Sequence, residues 1–258
     1  MKKVIVFALL ALAVPAMAAD IAKSPMVYSE GVVTQYNDTI NRGNVAVAAL
    51  LDGTFQDLAP IYAAAISALG CSPDIYYDPA GSINYGALGY DLVVATCSDN
   101  WWYSVNYPME ISAWSTYMAG GGKIILVGQD FLYGSGDYSF PTTYCGMTTA
   151  VEDVNYNDST TLTLTGLGPL AGFGDSMVPC FTANPWFTDN VHGSTNIGNW
   201  STSGYPGPYG AGSASMVGIF SVVEFGCGNC NGAVSYLAAW LQVTPTEAQS
   251  LSAIKALY

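Results

Sequence analysis

The sequence predicts an α/β domain built on a mostly parallel sheet of five strands, with an irregular β-rich insertion before the last strand. Two observations lead to this prediction. Short, continuous apolar runs alternate with helical patterns between residues 44 and 130, and the same alternation resumes near residue 215. Continuous apolar runs are typical of strands covered on both faces, and strand–helix alternation is typical of parallel sheets with right-handed crossovers.

The predicted elements follow one another in a simple order. Strands are expected in NVAVAALLD (44–52), DIYYD (74–78), DLVVAT (91–96), KIILVGQD (123–130) and ASMVGIFSVVEFG (214–226). Helical spacing of apolar residues predicts helices within 54–70, 107–122 and 231–242. Pro60 and Pro108 lie near the starts of the first two helices, where proline is tolerated. Within the insertion, residues 131–214, only TTLTLTGL (160–167) alternates cleanly enough to predict a strand.

The chain ends have patterns of their own. Residues 1–19 combine Lys2 and Lys3, an eleven-residue apolar run, and small residues before a cut site, which predicts a secretory signal peptide. The apolar run is shorter than the roughly 20 residues that span a bilayer. Residues 20–43 are expected to form an N-terminal arm, 44–242 one domain, and 243–258 a tail that docks as a helix or acts as a sorting signal. The protein is therefore expected to be secreted: extracellular, periplasmic or on the cell surface.

Charge narrows the choice of partners. Removal of the signal peptide leaves four basic residues against 19 acidic ones, a difference of −15. Such a surface repels nucleic acid and anionic lipid, because it has no clustered cations to replace phosphate counterions. No segment after the signal peptide is apolar enough to predict a membrane span, so the expected partners are a glycan or another surface protein.

The order of the elements and the stretch AGGGKIILVGQD (119–130) resemble the flavodoxin-like, doubly wound fold of the class I glutamine amidotransferase-like superfamily. The closest likeness is to divergent versions in secreted bacterial proteins, and it covers residues 44–130 and 215–242. The resemblance implies a nucleophile elbow at residues 127–130, usually with a cysteine, and a histidine and an acid later in the chain. These positions are Val127, Gly128, Gln129 and Asp130, so the nucleophile is absent.

The only histidine, His192, lies in the insertion and lacks the acid two residues on that many members of the superfamily carry. A Cys or Ser nucleophile needs a base within hydrogen-bond reach. We therefore interpret His192 as a loop histidine. We expect a non-catalytic module with a structural or ligand-binding role that uses no cofactor.

Polar and aromatic side chains follow several predicted strands at their carboxyl ends, where parallel sheets bind ligands. The candidate binding residues are Asp52, Asp99, Trp101, Trp102, Gln129 and Asp130. Tryptophan rings stack on the apolar faces of sugars and carboxylates accept their hydroxyl hydrogens, so a glycan is one expected ligand. Alternatively, the aspartates cap helices and the tryptophans pack under the insertion. If instead the carboxylates act chemically, the protein is a hydrolase or another glycan-acting enzyme.

Six cysteines in an exported chain predict disulfides. Cys145 with Cys180 would close the insertion and stabilise the fold by about 4 kcal/mol, whereas Cys227 with Cys230 closes a short loop worth roughly 2 kcal/mol. Cys97 is the main rival partner for Cys227. The CGNC motif (227–230) also suits a thiol redox centre, but only 28 residues follow Cys230, too few to complete a thioredoxin domain.

Metal sites are not expected. Zinc needs about four ligands, and the other cysteines are scattered. A calcium-like loop starts at Asp153, but Asp158 and Leu164 replace its glycine and its final glutamate.

Overall fold

The computed structural model of the chain describes eleven segments. They are residues 44–50, 57–78, 81–96, 111–128, 131–132, 138–152, 163–173, 189–201, 207–223, 225 and 230–241. The predicted signal peptide, N-terminal arm and C-terminal tail lie outside these segments and stay predictions, as does the calcium-like loop from Asp153 to Asp158.

The described segments form short elements. The helices are α1 (Ala59–Ser67), α2 (Ile111–Ala119), α3 (Ser139–Tyr144) and α4 (Ala233–Trp240), with a 3₁₀ turn at Gly168–Leu170. The strands are β1 (Asn44–Ala49), β2 (Ser72–Tyr77), β3 (Leu92–Thr96), β4 (Lys123–Val127), β5 (Met147–Val151), β6 (Thr163–Gly166), β7 (Asn190–Gly193), β8 (Thr195–Asn196), β9 (Gly198–Ser201), β10 (Gly207–Pro208), β11 (Gly210–Gly212) and β12 (Gly218–Ser221).

The main sheet has seven strands in the order β2-β1-β3-β4-β12-β11-β8. The first five are parallel and correspond to the five predicted strands. The prediction of a five-stranded sheet is nevertheless wrong, because β11 and β8 continue the sheet in antiparallel pairing and make it mixed. Both added strands come from the insertion, which is therefore partly a continuation of the core sheet.

The rest of the insertion forms two smaller antiparallel sheets. One has the order β10-β9-β6, and the other pairs β5 with β7. The strand predicted within 160–167 is confirmed as β6, although it starts at Thr163. Leu164 of β6 and Trp200 of β9 are both buried, so this small sheet contributes to the hydrophobic core.

The parallel strands owe their burial to their sequence. β3 is buried at every residue and β1 at every residue but the first, as expected for strands covered on both faces.

Helix α1 starts at Ala59, directly before Pro60, and the Asp57 carboxylate accepts a hydrogen bond from the Ala59 N–H at 3.0 Å. The edge strand β2 carries Pro73, which has no N–H to donate and is tolerated where no neighbouring strand needs one.

Candidate functional site

The carboxyl edge of the sheet is the place where the sequence predicts a binding site. Five parallel strands end level there, because Tyr77, Ala49, Thr96, Val127 and Ser221 are register partners across the sheet. The six predicted binding residues, Asp52, Asp99, Trp101, Trp102, Gln129 and Asp130, lie outside the described residues. The predicted glycan site therefore stays a prediction, although the strands β1, β3 and β4 that precede it are adjacent.

The described groups at the carboxyl edge are engaged in packing and backbone hydrogen bonds. The Gly128 N–H, within the stretch 127–130 where the resemblance predicts a nucleophile elbow, donates to the Ser221 carbonyl at 3.0 Å. The buried Ser221 hydroxyl donates to the Val223 carbonyl at 3.2 Å and accepts from the Val223 N–H at 3.1 Å. Phe131 packs edge-on against Phe220 with ring centroids 5.3 Å apart. A serine hydroxyl that already donates to and accepts from nearby backbone is not positioned to act as a nucleophile.

His192 lies on β7 and is exposed to solvent, with Thr149 of β5 as its register partner. The expectation of a loop histidine is therefore wrong, because the insertion forms a strand at this point. Among the residues that the structure describes, no three His, Cys, Asp or Glu side chains group together as a metal site.

Two of the predicted disulfide cysteines are described, and both are fully buried. Burial raises the pKa of the Cys145 thiol well above its ordinary value and that of Cys230 to about 12. Their predicted partners, Cys180 and Cys227, lie outside the described residues, so both pairings stay predictions. Without a disulfide, Cys230 would remain a protonated thiol at neutral pH and a poor nucleophile.

A buried carboxylate that the sequence analysis did not single out lies at the end of β2. Asp78 is 3% exposed and accepts three hydrogen bonds: from the Ser82 N–H at 3.0 Å, the Ile83 N–H at 3.1 Å and the Tyr85 hydroxyl at 3.2 Å. These bonds fix the turn after β2. The signal in the sequence is an aspartate directly after a strand and before a Pro-Ala-Gly-Ser turn, a position where aspartate commonly bonds to nearby backbone.

Three tyrosines from the two sides of that turn, Tyr76, Tyr85 and Tyr90, form a group here called the tyrosine cluster. Their rings meet edge-on with centroids 5.7 to 6.3 Å apart. The Tyr90 hydroxyl donates to Asp74 at 2.5 Å and lies 2.7 Å from the Tyr76 hydroxyl. Burial, followed by the bond to Asp74, raises the pKa of Tyr90, so its phenol remains protonated and continues to donate at neutral pH.

Next to the tyrosine cluster, at the amino edge of the sheet, lies a cavity of about 400 Å³, here called the amino-edge cavity. Its walls are the turn before β3, the end of α2 and the glycines that follow α2. The residues that line it are Asn84, Gly86, Ala87, Gly89, Tyr90, Asp91, Thr116, Tyr117, Gly120, Gly121 and Gly122. The cavity combines an aromatic ring, a side-chain amide and a carboxylate, which is a donor and acceptor set suited to a polar ligand.

Hydrogen bonds within the protein hold the walls of this cavity in place. The buried Tyr117 hydroxyl donates to the Lys123 carbonyl at 2.9 Å and accepts from the Lys123 N–H at 3.2 Å. The Asp91 carboxylate accepts from the Asn44 N–H at 3.0 Å. Gly122 must remain glycine, because a Cβ there would lie 2.3 Å from the Tyr117 ring.

One cation lies close to the cavity without lining it. Lys123 is half-buried and its ammonium donates to the carbonyl of Leu241, just after α4. Burial lowers the pKa of Lys123, whereas the nearby Asp91 carboxylate opposes that shift.

No family model and no curated protein sequence match the chain. Solved structures similar to it include a protein described as ThuA-like from Bacteroides uniformis, at 12% identity and a TM-score of 0.48, over 82% of this chain and 95% of that one. A β-galactosidase from the psychrophilic Marinomonas ef1 has 10% identity and a TM-score of 0.46, over 82% of this chain and 31% of its own. A protein described as a GMP synthase subunit, from Thermoplasma acidophilum, has 10% identity and a TM-score of 0.49, over 78% and 94% of the two chains. Likenesses this weak carry no argument about activity.

Proposed function

We propose that this chain is a secreted, non-catalytic module with a flavodoxin-like core, and that it binds a ligand, with glycans as the favoured class. The core assignment is supported by the order of the five parallel strands, 2-1-3-4-5 when numbered along the chain, which is the flavodoxin-like order. Secretion is supported by the signal-peptide pattern of residues 1–19.

The observation that supports a non-catalytic role most directly is the state of the elbow after β4. None of the four residues at the predicted elbow, 127–130, is Cys or Ser. The Gly128 N–H donates to the Ser221 carbonyl, and the Ser221 hydroxyl is itself bonded to backbone. Acyl transfer needs a nucleophile with a base in hydrogen-bond reach. His192, the single histidine of the chain, is exposed on β7.

The test pairs a turnover assay with a binding assay on the mature protein. Incubation with fluorogenic esters, aryl glycosides and glutamine is expected to give no product above the buffer rate. A glycan array is expected to give a selective signal. The substitution Trp101→Ala reports on the predicted carboxyl-edge site, and Val151→Ala, at a position 55% exposed on β5, is the matched control.

Turnover that disappears in Asp99→Asn or Asp130→Asn would overturn the non-catalytic role and favour a carboxylate-based hydrolase. Rapid alkylation at the CGNC motif by iodoacetamide in the unreduced protein would instead favour thiol redox chemistry. Cys230 itself, buried and with a pKa raised to about 12, would not react quickly in the folded protein, so such a result would point to Cys227.

A further inference from the structure

We propose that the amino-edge cavity binds a neutral saccharide unit. This inference rests on the proposed function in taking the protein to be a ligand-binding module, but it places a site at the edge of the sheet opposite the predicted one. It uses only described residues, and none of its lining residues belongs to the carboxyl-edge set Asp52, Asp99, Trp101, Trp102, Gln129 and Asp130.

The size and rigidity of the cavity suit a small ligand. Its volume of about 400 Å³ falls within the range of roughly 300 to 1,000 Å³ typical of small-molecule sites. Tyr90 is held by Asp74, Tyr117 by the backbone of Lys123, and Asp91 by the Asn44 N–H. A ligand that enters a site held in this way pays little for ordering side chains.

The charge of the lining argues against an anionic ligand. Asp91 is the one ionisable carboxylate among the lining residues, so an anionic ligand would meet repulsion. One oxygen of Asp91 accepts the Asn44 N–H, and the Lys123 ammonium donates to the Leu241 carbonyl. A neutral ligand meets no such repulsion.

The polar groups that remain available suit a polyhydroxyl ligand. The Asn84 amide uses its oxygen to accept the Ala87 N–H at 2.9 Å, which leaves its NH₂ group to donate to a ligand. Asp91 keeps a second oxygen to accept a hydroxyl, and the half-buried Tyr90 ring offers an apolar surface for the C–H face of a sugar ring. Hydroxyl groups donate and accept, so a saccharide can satisfy both kinds of group at once.

Two glycines keep the backbone of the cavity open to close approach. Gly89 and Gly121 have φ values of 80° and 95°, and a Cβ at either position would meet nothing within 4 Å. The space beside each α-carbon is thus free of protein atoms, so a ligand can approach the backbone there although both N–H groups already donate, to the carbonyls of Gly86 and Met118. Glycine is the residue that allows a ligand to approach backbone this closely.

The test is a titration of the ¹⁵N-labelled mature protein with methyl glycosides of glucose, galactose, mannose and N-acetylglucosamine. Binding of at least one is expected to shift the amide signals of Gly89, Gly121 and Gly122. Asp91→Asn keeps the shape and an acceptor for Asn44 but removes the charge, and it is expected to weaken binding about tenfold, as the loss of a charge-assisted hydrogen bond does. Thr116→Trp, at an exposed position on α2, is expected to block the cavity, and Glu152→Gln is the control outside it.

The outcomes separate this inference from the proposed function. If no glycoside shifts those amides, or if choline binds in preference to every glycoside, the saccharide assignment of the cavity is wrong. If glycosides bind but only Trp101→Ala weakens them, the module binds glycans at the carboxyl edge and this second site is refuted. If the protein turns over a glycoside, the non-catalytic role fails, whereas the cavity is still judged by the Asp91→Asn and Thr116→Trp variants.

Discussion

Two buried tyrosines, one near the strand β2 and one in the insertion, differ in what their hydroxyl groups do. Tyr85, beside the edge strand β2, is 1% exposed and donates to Asp78. Tyr209, between β10 and β11 in the insertion, is fully buried, and its hydroxyl has no hydrogen-bond partner among the described residues. The phenol of Tyr85 is thus part of a hydrogen-bond network, whereas that of Tyr209 contributes through the packing of its ring.

The surroundings explain the difference. Tyr85 lies seven residues after Asp78, so its partner comes from the same turn. Tyr209 packs edge-on against Trp200 at 5.6 Å and Phe225 at 6.5 Å, and the position of a Cβ on Gly198 would coincide with its phenol. Burial, and to a smaller extent the nearby Cys230, raises the pKa of Tyr209 and keeps it neutral. The two regions therefore show that two equally buried tyrosine hydroxyls need not both be hydrogen-bonded within the described structure.

The largest loss of stability is expected for a substitution of Asp78, which accepts the hydrogen bonds of the turn after β2. Asp78→Ala removes the acceptor of the Ser82 N–H, the Ile83 N–H and the Tyr85 hydroxyl, and leaves the last of these buried without a partner. Each unsatisfied buried donor costs about 1–3 kcal/mol, so the free energy of unfolding is expected to fall by about 3 kcal/mol. Urea denaturation followed by tryptophan fluorescence measures it.

Asp78→Asn is the matched control for that change. An asparagine of the same shape keeps one acceptor oxygen, and it is expected to lose roughly half as much stability because it accepts from fewer donors. Equal losses for the two variants would mean that the charge of Asp78, and not its hydrogen bonds to the turn, is what stabilises the region.

An intermediate effect is expected for Tyr85→Phe. The substitution keeps the ring contacts with Tyr76 and Trp114 and deletes one hydrogen bond to a carboxylate. A hydrogen bond to a charged group contributes about 1.5–3 kcal/mol, and the lower end is expected because the bond is long. The same denaturation assay measures it, with Tyr76→Phe, in a half-buried phenol pair, as the comparison. No loss at Tyr85 would remove the contrast with Tyr209.

The parallel strands of the main sheet and the strands that the insertion adds to it differ in how well the sequence predicts them. The strands β1, β3 and β4 are continuous apolar runs, and burial on both faces of the sheet requires such runs. The strands β8 and β11 have two and three residues, too few to show any period. β11 also begins at Gly210, which must be glycine because a Cβ would lie 2.6 Å from both Ile197 and the Phe220 carbonyl. Glycine in a sequence normally indicates a turn, so the continuation of the sheet was not predicted.

The candidate sites follow a similar division. The rule that parallel sheets bind ligands at their carboxyl edge directs attention to Asp52, Asp99 and Asp130, whose placement is not described. The amino-edge cavity arises where the turn before β3 packs against the end of α2, and those two segments are distant in sequence. The glycines after α2 predicted only the end of a helix, because glycine stops a helix whether or not a cavity lies beside it.

The smallest effect is expected for Tyr209→Phe. Because the hydroxyl makes no hydrogen bond within the described structure, its removal deletes no favourable contact and relieves the cost of burying a polar atom. The free energy of unfolding is expected to stay unchanged or to rise by up to about 1 kcal/mol, since replacing an unsatisfied polar group with an apolar one is neutral or stabilising. Tyr85→Phe, assayed in parallel, has the opposite sign. A loss of stability at Tyr209 as large as that at Tyr85 would mean that its hydroxyl has a partner in a segment outside the described ones, and the contrast between the two regions would disappear.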